Sequence, residues 1–260
     1  MLVQLAEISW KKAKEILKKT DVAIIPVGST EQHGPHNPLG TDYLVAEAVA
    51  KIVGEKTKVL VLPVVSVGVS EHHRHFPGSL WATTDIFKEY IKSTVLSVAI
   101  YGIKKIIFIN GHGGNEGALM ELASDLRRNY NIFAVYVMAF PPKVEEGHGH
   151  ASFEETSINL YLHKHLVDMN ESRDIEVKTT LGPFQIEGFN KIGPAKFAWD
   201  TIDLTDSGIF GPAGHSMITT TATAAAGREM MEPYIKEICN FVNKLKKADI
   251  NDLITKPYSS

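Results

Sequence analysis

The feature that most constrains the fold is an alternation of short apolar runs with longer amphipathic segments. The apolar runs are rich in β-branched residues and occupy residues 21–27, 58–67, 104–110 and 132–138. Segments with helical spacing flank them at residues 8–19, 41–53, 85–101, 114–129, 153–165 and 219–247. Strands separated by helices are typical of βαβ units, in which helices cover both faces of a parallel sheet. We therefore predict an α/β fold with a mostly parallel sheet.

The chain is long enough for one large domain with its own core, and we predict a single domain over residues 1–260. One stretch does not follow the strand–helix alternation. Residues 174–214, called the excursion below, are rich in Gly, Pro and Asp. We expect the excursion to form an irregular segment that covers the site. A break in the closing helix is expected near Gly227 and Pro233.

Composition excludes several classes of function. The formal net charge of -3 gives no general attraction to nucleic acid. No apolar run reaches the roughly 18 residues that a membrane span needs, and the first residues do not have the pattern of a signal peptide. The single cysteine, Cys239, excludes an internal disulfide. We expect a cytoplasmic protein with a small-molecule substrate and neither a nucleic-acid nor a membrane partner.

Histidines and carboxylates concentrate in the loops that follow the four predicted strands. Nine of the 11 histidines lie in these loops or at their edges, at positions 33, 36, 72, 73, 75, 112, 148, 150 and 163. In a doubly wound sheet, ligands bind beyond the carboxyl ends of the strands. The four loops are therefore expected to converge on one crevice.

This combination of side chains suggests a catalytic metal site. Glu31 and His33 are two residues apart, so an extended backbone directs both side chains to the same face. Asp42 and His112 can approach them from neighbouring segments. Imidazole and carboxylate together suit Zn, Mn or Fe(II), and a few such ligands leave a coordination position open for catalysis. The alternative is that each loop carries only solvated surface residues.

Other local motifs remain open or fit poorly. The glycine-rich run at residues 111–117 matches neither nucleotide-binding pattern, although it lets a ligand approach a helix N-terminus, so a nucleotide-handling protein stays an alternative. Helix-borne zinc-protease and serine-hydrolase motifs are absent. Ser152 and Glu155 match a helix capping box, which competes with a role for Glu155 in chemistry.

Taken together, the motifs resemble the creatininase (creatinine amidohydrolase) family. They are GSTEQHGPH at 28–36, Thr41-Asp42, Ser70 with FPG at 76–78, NGHGGN at 110–115, His150 with ETS at 155–157, and GIFGP at 208–212. The resemblance extends from about residue 5 to residue 235. It implies a three-layer α/β/α fold, a two-metal amidohydrolase site and a homohexamer.

The resemblance also implies roles for individual residues. Glu31 and His112 bind one divalent ion, His33 binds the other, and Asp42 bridges the two. His150 donates a proton to the leaving nitrogen. Glu155 orients His150 or ligates the second ion. The remaining implied substrate contacts are Ser70 and Gly113, whose backbone N–H is expected to hold the oxyanion together with that of Gly114.

The sequence departs from creatininase itself at three points. The ligand pattern His-x-Glu is replaced by His112-Gly113-Gly114, which removes a carboxylate from the second metal site. A glutamate that many relatives carry three residues after the equivalent of His150 is Phe153 here, so Glu154 or Glu155 is needed to complete the site. The loop at residues 143–150 has no aromatic residue to form a creatinine pocket.

We therefore predict a metal-dependent hydrolase that uses one or two ions (Zn, Fe(II) or Mn) and acts on C–N bonds other than ordinary peptide bonds. Amides, cyclic amides and formamides fit, including a formylaminopyrimidine ribonucleotide. The expected substrate is larger than creatinine and has an anionic group, which basic or imidazole side chains would hold: Arg74, His75, Lys191 and Lys196. Alternatives are creatinine amidohydrolase proper, a metal-binding family member without activity, and solvated surface roles for those four residues.

Overall fold

The computed structural model describes residues 4–142 and 149–254. The α-helices within these ranges are α1 Trp10–Leu17, α2 Thr41–Thr57, α3 Thr84–Ala99, α4 Glu116–Tyr130, α5 Phe153–His163, α6 Thr201–Leu204, α7 Ala224–Lys247 and α8 Ile250–Leu253. The strands are β1 Val22–Val27, β2 Leu60–Val61, β3 Lys105–Asn110, β4 Phe133–Met138, β5 Ile175–Glu176, β6 Thr180–Leu181, β7 Phe184–Gln185, β8 Lys191–Ile192, β9 Ala195–Lys196 and β10 Ser216–Met217. Short 3-10 turns include Glu71–His73 and Gly113–Asn115.

The central sheet is parallel, with the strand order β2-β1-β3-β4. Its two inner strands, β1 and β3, are buried along their whole length. They pair in register from Val22 with Lys105 to Val27 with Asn110, so both strands end at the same level. The loops after β1 and β3 are consequently adjacent at the carboxyl edge of the sheet.

Helices cover both faces of this sheet, as side-chain alternation along β1 requires. Val22 and Ile24 point into a core formed with α2, α5 and α7. Ala23 and Ile25 point into the opposite core, formed with α1, α3 and α4. The predicted three-layer α/β/α architecture with a mostly parallel sheet is confirmed.

Two predicted elements differ from the structure. The second strand was expected over residues 58–67, but regular pairing is restricted to Leu60–Val61. Pro63 follows, and since proline cannot donate a hydrogen bond, it interrupts the ladder of this edge strand. The closing helix begins at Ala224 and is unbroken at Gly227 and Pro233. Gly227 is a packing position instead, because a Cβ there would lie 2.1 Å from the Ser157 carbonyl oxygen.

The excursion is built from two-residue antiparallel pairs, β6 with β7 and β8 with β9, while β5 pairs with β10 just beyond it. It has a small core of its own, which includes Val177, Ile186, Leu204 and Ile209. Across residues 4–142 and 149–254, none of the helices has the length and apolar content required to cross a membrane.

Candidate metal centre and active site

The parallel sheet brings the predicted carboxylate and imidazole side chains together. Glu31 and His33 lie in the loop after β1, Asp42 lies in the first turn of α2, and His112 follows β3. All four side chains are buried, with at most 4% exposure. A buried cluster of this kind does not fit the alternative interpretation of solvated surface residues.

Asp42 lies between the two histidines. Its Oδ1 is 3.0 Å from His33 Nε2, and its Oδ2 is 3.1 Å from His112 Nδ1. Glu31 Oε1 is also 3.1 Å from His112 Nδ1. Glu31, Asp42 and His112 therefore form one group whose ligand atoms are close enough for a metal ion, and Glu31, His33 and His150 form a second.

Both histidines have the orientation expected of metal ligands. His33 Nδ1 lies 3.1 Å from the backbone carbonyl of Glu31, and His112 Nε2 lies 3.0 Å from that of Val69. A ring nitrogen that donates its proton to a carbonyl leaves the other nitrogen free as a ligand. In both rings this other nitrogen faces Asp42.

Three carboxylate oxygens of this cluster are buried without a hydrogen bond among the described residues: both of Glu31 and Oδ2 of Asp42. Leaving a charged acceptor buried and unsatisfied is costly. A divalent cation would satisfy these oxygens, and the mixture of imidazole and carboxylate suits Zn, Mn or Fe(II). The residues present therefore fit a metal ion.

The electrostatics of the cluster favour positive charge. Burial alone would lower the pKa of His33, but the adjacent Asp42 outweighs burial and raises the pKa to about 9. The pKa of His112 is raised well above its usual value, since Glu31 and Asp42 outweigh its burial. Burial opposes the charged form of Glu31, yet His112 and His73 hold its pKa well below the usual range. Metal binding would replace these imidazole protons.

His73 belongs to the cluster although sequence reasoning did not assign it a role. Its Nε2 lies 3.2 Å from Glu31 Oε1. Its Nδ1 contacts the amide nitrogen of Gln32 at 2.9 Å and the hydroxyl of Thr201 at 2.8 Å. The Gln32 amide is oriented by Gly34, whose N–H donates to Oε1. Nδ1 is thus occupied by Gln32 and Thr201, and Nε2 is the ring nitrogen that faces Glu31. The only sequence signal for this role was the position of His73 in the histidine-rich run EHHRH at residues 71–75.

His150 lies at the edge of the cluster and lines the cavity above it. Its Nε2 is 2.6 Å from the Gln32 carbonyl oxygen, and its Nδ1 is 3.9 Å from Glu31 Oε1. The ring stacks on Phe210 at 4.7 Å. Burial, together with the charges of His33 and His73, holds the pKa of His150 well below its usual range. The neutral imidazole is thus a proton acceptor before it can be a donor.

Glu155 does not form the predicted capping box. Helix α5 begins at Phe153 after Ser152, whose side chain makes no capping hydrogen bond. Glu155 Oε2 instead accepts a hydrogen bond of 2.6 Å from Ala151 N, one residue before the cap. The same oxygen lies 3.7 Å from His33 Nε2. The start of the helix therefore holds this carboxylate beside the cluster.

Of the two predicted substrate contacts, Ser70 and Gly113, one lines the cavity and the other does not. Ser70 is fully buried; its Oγ contacts Ser29 Oγ at 2.7 Å and donates to the Leu80 carbonyl, so it lies beneath the cavity and does not line it. Gly113 does line the cavity, together with Gly114. A Cβ at Gly114 would lie 2.3 Å from His112 Nε2. This backbone therefore has no room for the glutamate of the His-x-Glu pattern.

The cavity beside the cluster has a volume of about 870 Å³. Aromatic side chains of and near the excursion form one wall: Phe189, Phe197, Trp199 and Phe210. The loop at residues 143–150 has no aromatic residue, but this wall supplies aromatic surface to the cavity. Residues 143–148 of that loop, with His148, lie outside the described residues. Aromatic residues distant in sequence supply the surface.

The expected anionic handle is not found in the described lining. Arg74 makes two hydrogen bonds to Asp200, and Lys191 pairs with Glu187. His75 and Lys196 are exposed outside the cavity. The other histidines also differ in position: His72 lines the cavity, whereas His36 is buried against Thr156 and His163 contacts the Leu44 carbonyl.

Comparisons with known proteins agree with this geometry. The chain matches the family model of creatininase, described as creatinine amidohydrolase, over residues 6–242. It is 28% identical to the mycofactocin precursor peptide peptidase of Mycobacterium tuberculosis (strain CDC 1551 / Oshkosh), over 89% of this chain and 88% of that protein. It is 26% identical to creatinine amidohydrolase of Pseudomonas putida, over 71% and 80% of the two chains.

A third relative covers less of the chain. The 2-amino-5-formylamino-6-ribosylaminopyrimidin-4(3H)-one 5'-monophosphate deformylase of Methanocaldococcus infernus is 32% identical over 56% of this chain and 61% of that protein. Among solved structures, creatinine amidohydrolase superposes with a TM-score of 0.77 at 23% identity, over 95% of this chain and 99% of that one. Solved creatininases of this fold include a Zn-Zn type and a Mn form. The chain therefore belongs to the creatininase family, whose members are metal-dependent hydrolases acting on amide C–N bonds.

Proposed function

We propose that this chain hydrolyses an amide C–N bond of a substrate larger than creatinine, at a centre of two divalent ions. The observation that carries the proposal is the position of Asp42. Its two oxygens contact different histidines, at 3.0 Å from His33 Nε2 and 3.1 Å from His112 Nδ1. A buried carboxylate between two imidazoles is suited to bridge two ions.

In this proposal Glu31, Asp42 and His112 hold one ion. His33, Asp42 and Glu155 hold the other, and Glu155 replaces the carboxylate for which Gly114 leaves no room. The placement of Glu155 Oε2 at 3.7 Å from His33 Nε2 supports this assignment. A bound ion supplies Lewis acidity, which polarises a carbonyl group and lowers the pKa of water. Zn, Fe(II) and Mn all suit these donors.

His150 is the proposed carrier of the proton that the leaving nitrogen needs. Its Nε2 proton is held by the Gln32 carbonyl, so Nδ1 is the atom that takes up and delivers a proton. The low pKa of the ring favours delivery over retention. Gly113 and Gly114 bring bare backbone to the cavity beside His112, and their N–H groups are the proposed donors to the developing oxyanion.

The size and walls of the cavity support a substrate larger than creatinine. A volume of about 870 Å³ falls within the range of roughly 300–1,000 Å³ that holds drug-sized ligands. Full-length similarity to peptide peptidases, over 89% of this chain, supports a substrate of that size as well. The formylaminopyrimidine ribonucleotide remains the alternative, because deformylases are also relatives. The described lining contains no lysine or arginine to hold its phosphate.

The test combines metal analysis with a substrate panel. Protein purified without chelator is assayed for bound Zn, Fe and Mn, and then for hydrolysis of creatinine, small formamides, short peptide amides and the ribonucleotide with and without its phosphate. We expect two ions per chain and turnover of a larger amide that chelation abolishes and metal restores. Bound metal without turnover of any substrate would favour the non-catalytic alternative. Creatinine as the best substrate would contradict the proposed size.

Glu155→Gln tests the second metal site. Gln retains an oxygen that accepts the Ala151 N–H, but it binds metal poorly. We expect loss of about half of the bound metal, with the α5 helix intact by circular dichroism. Full metal content in this variant would leave Glu155 with a structural role only. The homohexamer and the cytoplasmic location predicted from sequence remain predictions.

A further inference from the structure

We propose that Glu116, held by Tyr136, forms a subsite for a positively charged, hydrogen-bond-donating group of the ligand, such as a primary ammonium or a guanidinium. The assignment of that ligand as the substrate rests on the proposed amide hydrolysis. The subsite itself rests on the lining of the cavity. None of the family motifs found in the sequence includes Glu116 or Tyr136.

Glu116 is oriented by its neighbours in the cavity wall. It is the first residue of α4, and both it and Tyr136 of β4 line the same cavity as His112. The Tyr136 hydroxyl donates a 2.7 Å hydrogen bond to Glu116 Oε2. This bond raises the pKa of Tyr136, so the hydroxyl stays a donor. The other oxygen, Oε1, lies 3.9 Å from the point that a Cβ of Gly113, the residue after His112, would occupy.

The charges in the cavity single out Glu116. The carboxylates in the described lining are Glu31, Glu116 and Glu155, and this lining contains no lysine or arginine. In the proposed centre Glu31 and Glu155 would serve as ligands of the ions. Glu116 therefore remains as a half-buried carboxylate in the lining of the same cavity. It attracts a cationic group and repels an anionic one.

The aromatic wall favours the same kind of ligand. Trp199 meets His72 edge-on with ring centroids 5.1 Å apart and packs against Phe210 at 5.3 Å. Aromatic faces attract cations through their quadrupole. A carboxylate and aromatic rings in one cavity thus select against a ligand with a phosphate or carboxylate group. Basic residues would have favoured such a ligand.

The experiment compares three ligands of similar size on the metal-loaded protein: benzylammonium, benzyltrimethylammonium and benzyl alcohol. Calorimetry on wild type should give the tightest binding for benzylammonium, which has both charge and N–H donors. Glu116→Gln should weaken benzylammonium about tenfold, because a charge-assisted hydrogen bond is lost, and leave benzyl alcohol unchanged. Tyr136→Phe keeps the Glu116 carboxylate but removes the hydrogen bond that orients it. This variant should therefore lose less affinity for benzylammonium than Glu116→Gln does. Glu121→Gln, on the exposed side of the same helix beside Lys88, is the matched control.

Equal binding of benzylammonium by wild type and Glu116→Gln, or no preference for it over benzyl alcohol, would overturn the subsite. Amide hydrolysis is measured on the same preparations with two matched amides that carry an ammonium or a hydroxyl group at the same position. Glu116-dependent binding without hydrolysis of any amide would leave the subsite standing and refute the proposed function. Hydrolysis with no Glu116-dependent preference for the ammonium substrate would support the proposed function and refute the subsite.

Discussion

The two regions that form the cavity are built in opposite ways. The sheet side of the site, defined by Glu31, His33, Asp42 and His112, is buried at the ends of β1 and β3 and the start of α2. The excursion is made of two-residue strand pairs, and its cavity residue Phe189 is 37% exposed. Reacting groups need fixed geometry, whereas regions with few buried contacts tolerate change and set recognition. The contrast indicates chemistry on the sheet and selectivity on the excursion.

The two regions meet at a few defined contacts. Thr201, at the start of α6, reaches the Nδ1 atom of His73, and His73 in turn faces Glu31. Gly208 packs so closely on Gln32 that a Cβ would lie 1.8 Å from its Oε1. The excursion therefore also contributes to the positioning of the metal cluster. Substitutions in both regions test this separation of chemistry on the sheet from selectivity on the excursion.

The largest effect is expected on the sheet side, for Asp42→Asn. The change removes the charge shared by both proposed metal sites while keeping the shape of the side chain. We expect metal content per chain to fall further than in Glu31→Gln or His33→Ala, and activity to fall by more than the roughly 100-fold typical of residues behind the ligands. Metal analysis by plasma mass spectrometry, with circular dichroism as the folding control, checks this. A variant that keeps one full equivalent of metal would show that Asp42 does not bridge.

His150→Ala is expected to lower kcat by about 10² to 10⁴, the usual contribution of a proton-transferring residue. Bound metal should stay unchanged, because His150 is not among the proposed ligands of either ion and its Nε2 is 2.6 Å from the Gln32 carbonyl oxygen. Steady-state kinetics and metal analysis on the same sample separate the two properties. Loss of an ion in this variant would instead show that His150 is a metal ligand, like the residues on the sheet side of the site.

Thr201→Val tests whether the excursion supports the metal centre. Valine has a similar shape but lacks the hydroxyl that contacts His73 Nδ1, so this nitrogen keeps only its contact with Gln32. Outer partners of metal sites typically contribute tenfold to hundredfold in metal affinity, and we expect a loss of about tenfold. Competition with a chelator measures the affinity, and Thr201→Ser, which keeps the hydroxyl, is the control. Wild-type affinity in Thr201→Val would restrict the excursion to recognition.

The contrast also explains what the sequence could predict. The positions of Glu31, His33, Asp42 and His112 follow from rules that act over short distances: strand alternation, a helix start, and loops at the same edge of a parallel sheet. The fold follows from the same patterns. The edge strand β2 was predicted too long because residues 59–65 are apolar throughout, and only Pro63 indicates where the regular ladder is interrupted.

The cavity wall could not be predicted in this way. Trp199 and Phe210 reach His72 and His150 through the packing of short, irregular elements that have no periodic pattern. Arg74 looked available as an anion handle because its partner, Asp200, is 126 positions away. His73 was one of several adjacent histidines, and its contacts with Glu31, Gln32 and Thr201 distinguish it from His72. These are long-range contacts, which local sequence does not encode.

The smallest effect is expected for Trp199→Ala, which tests the excursion as a recognition surface alone. Trp199 lines the cavity, and its ring packs against His72 and Phe210. Aromatic contacts contribute about 0.5–1.5 kcal/mol beyond area burial, and about 1.4 kcal/mol corresponds to tenfold in affinity. We therefore expect KM to rise up to about tenfold, with kcat and bound metal close to wild type. Trp199→Phe keeps an aromatic face, so its KM should lie between those of wild type and Trp199→Ala. If the loss instead appears in kcat together with lower metal content, the wall supports the metal centre through His72 and His73, and the separation between chemistry on the sheet and selectivity on the excursion fails at this residue.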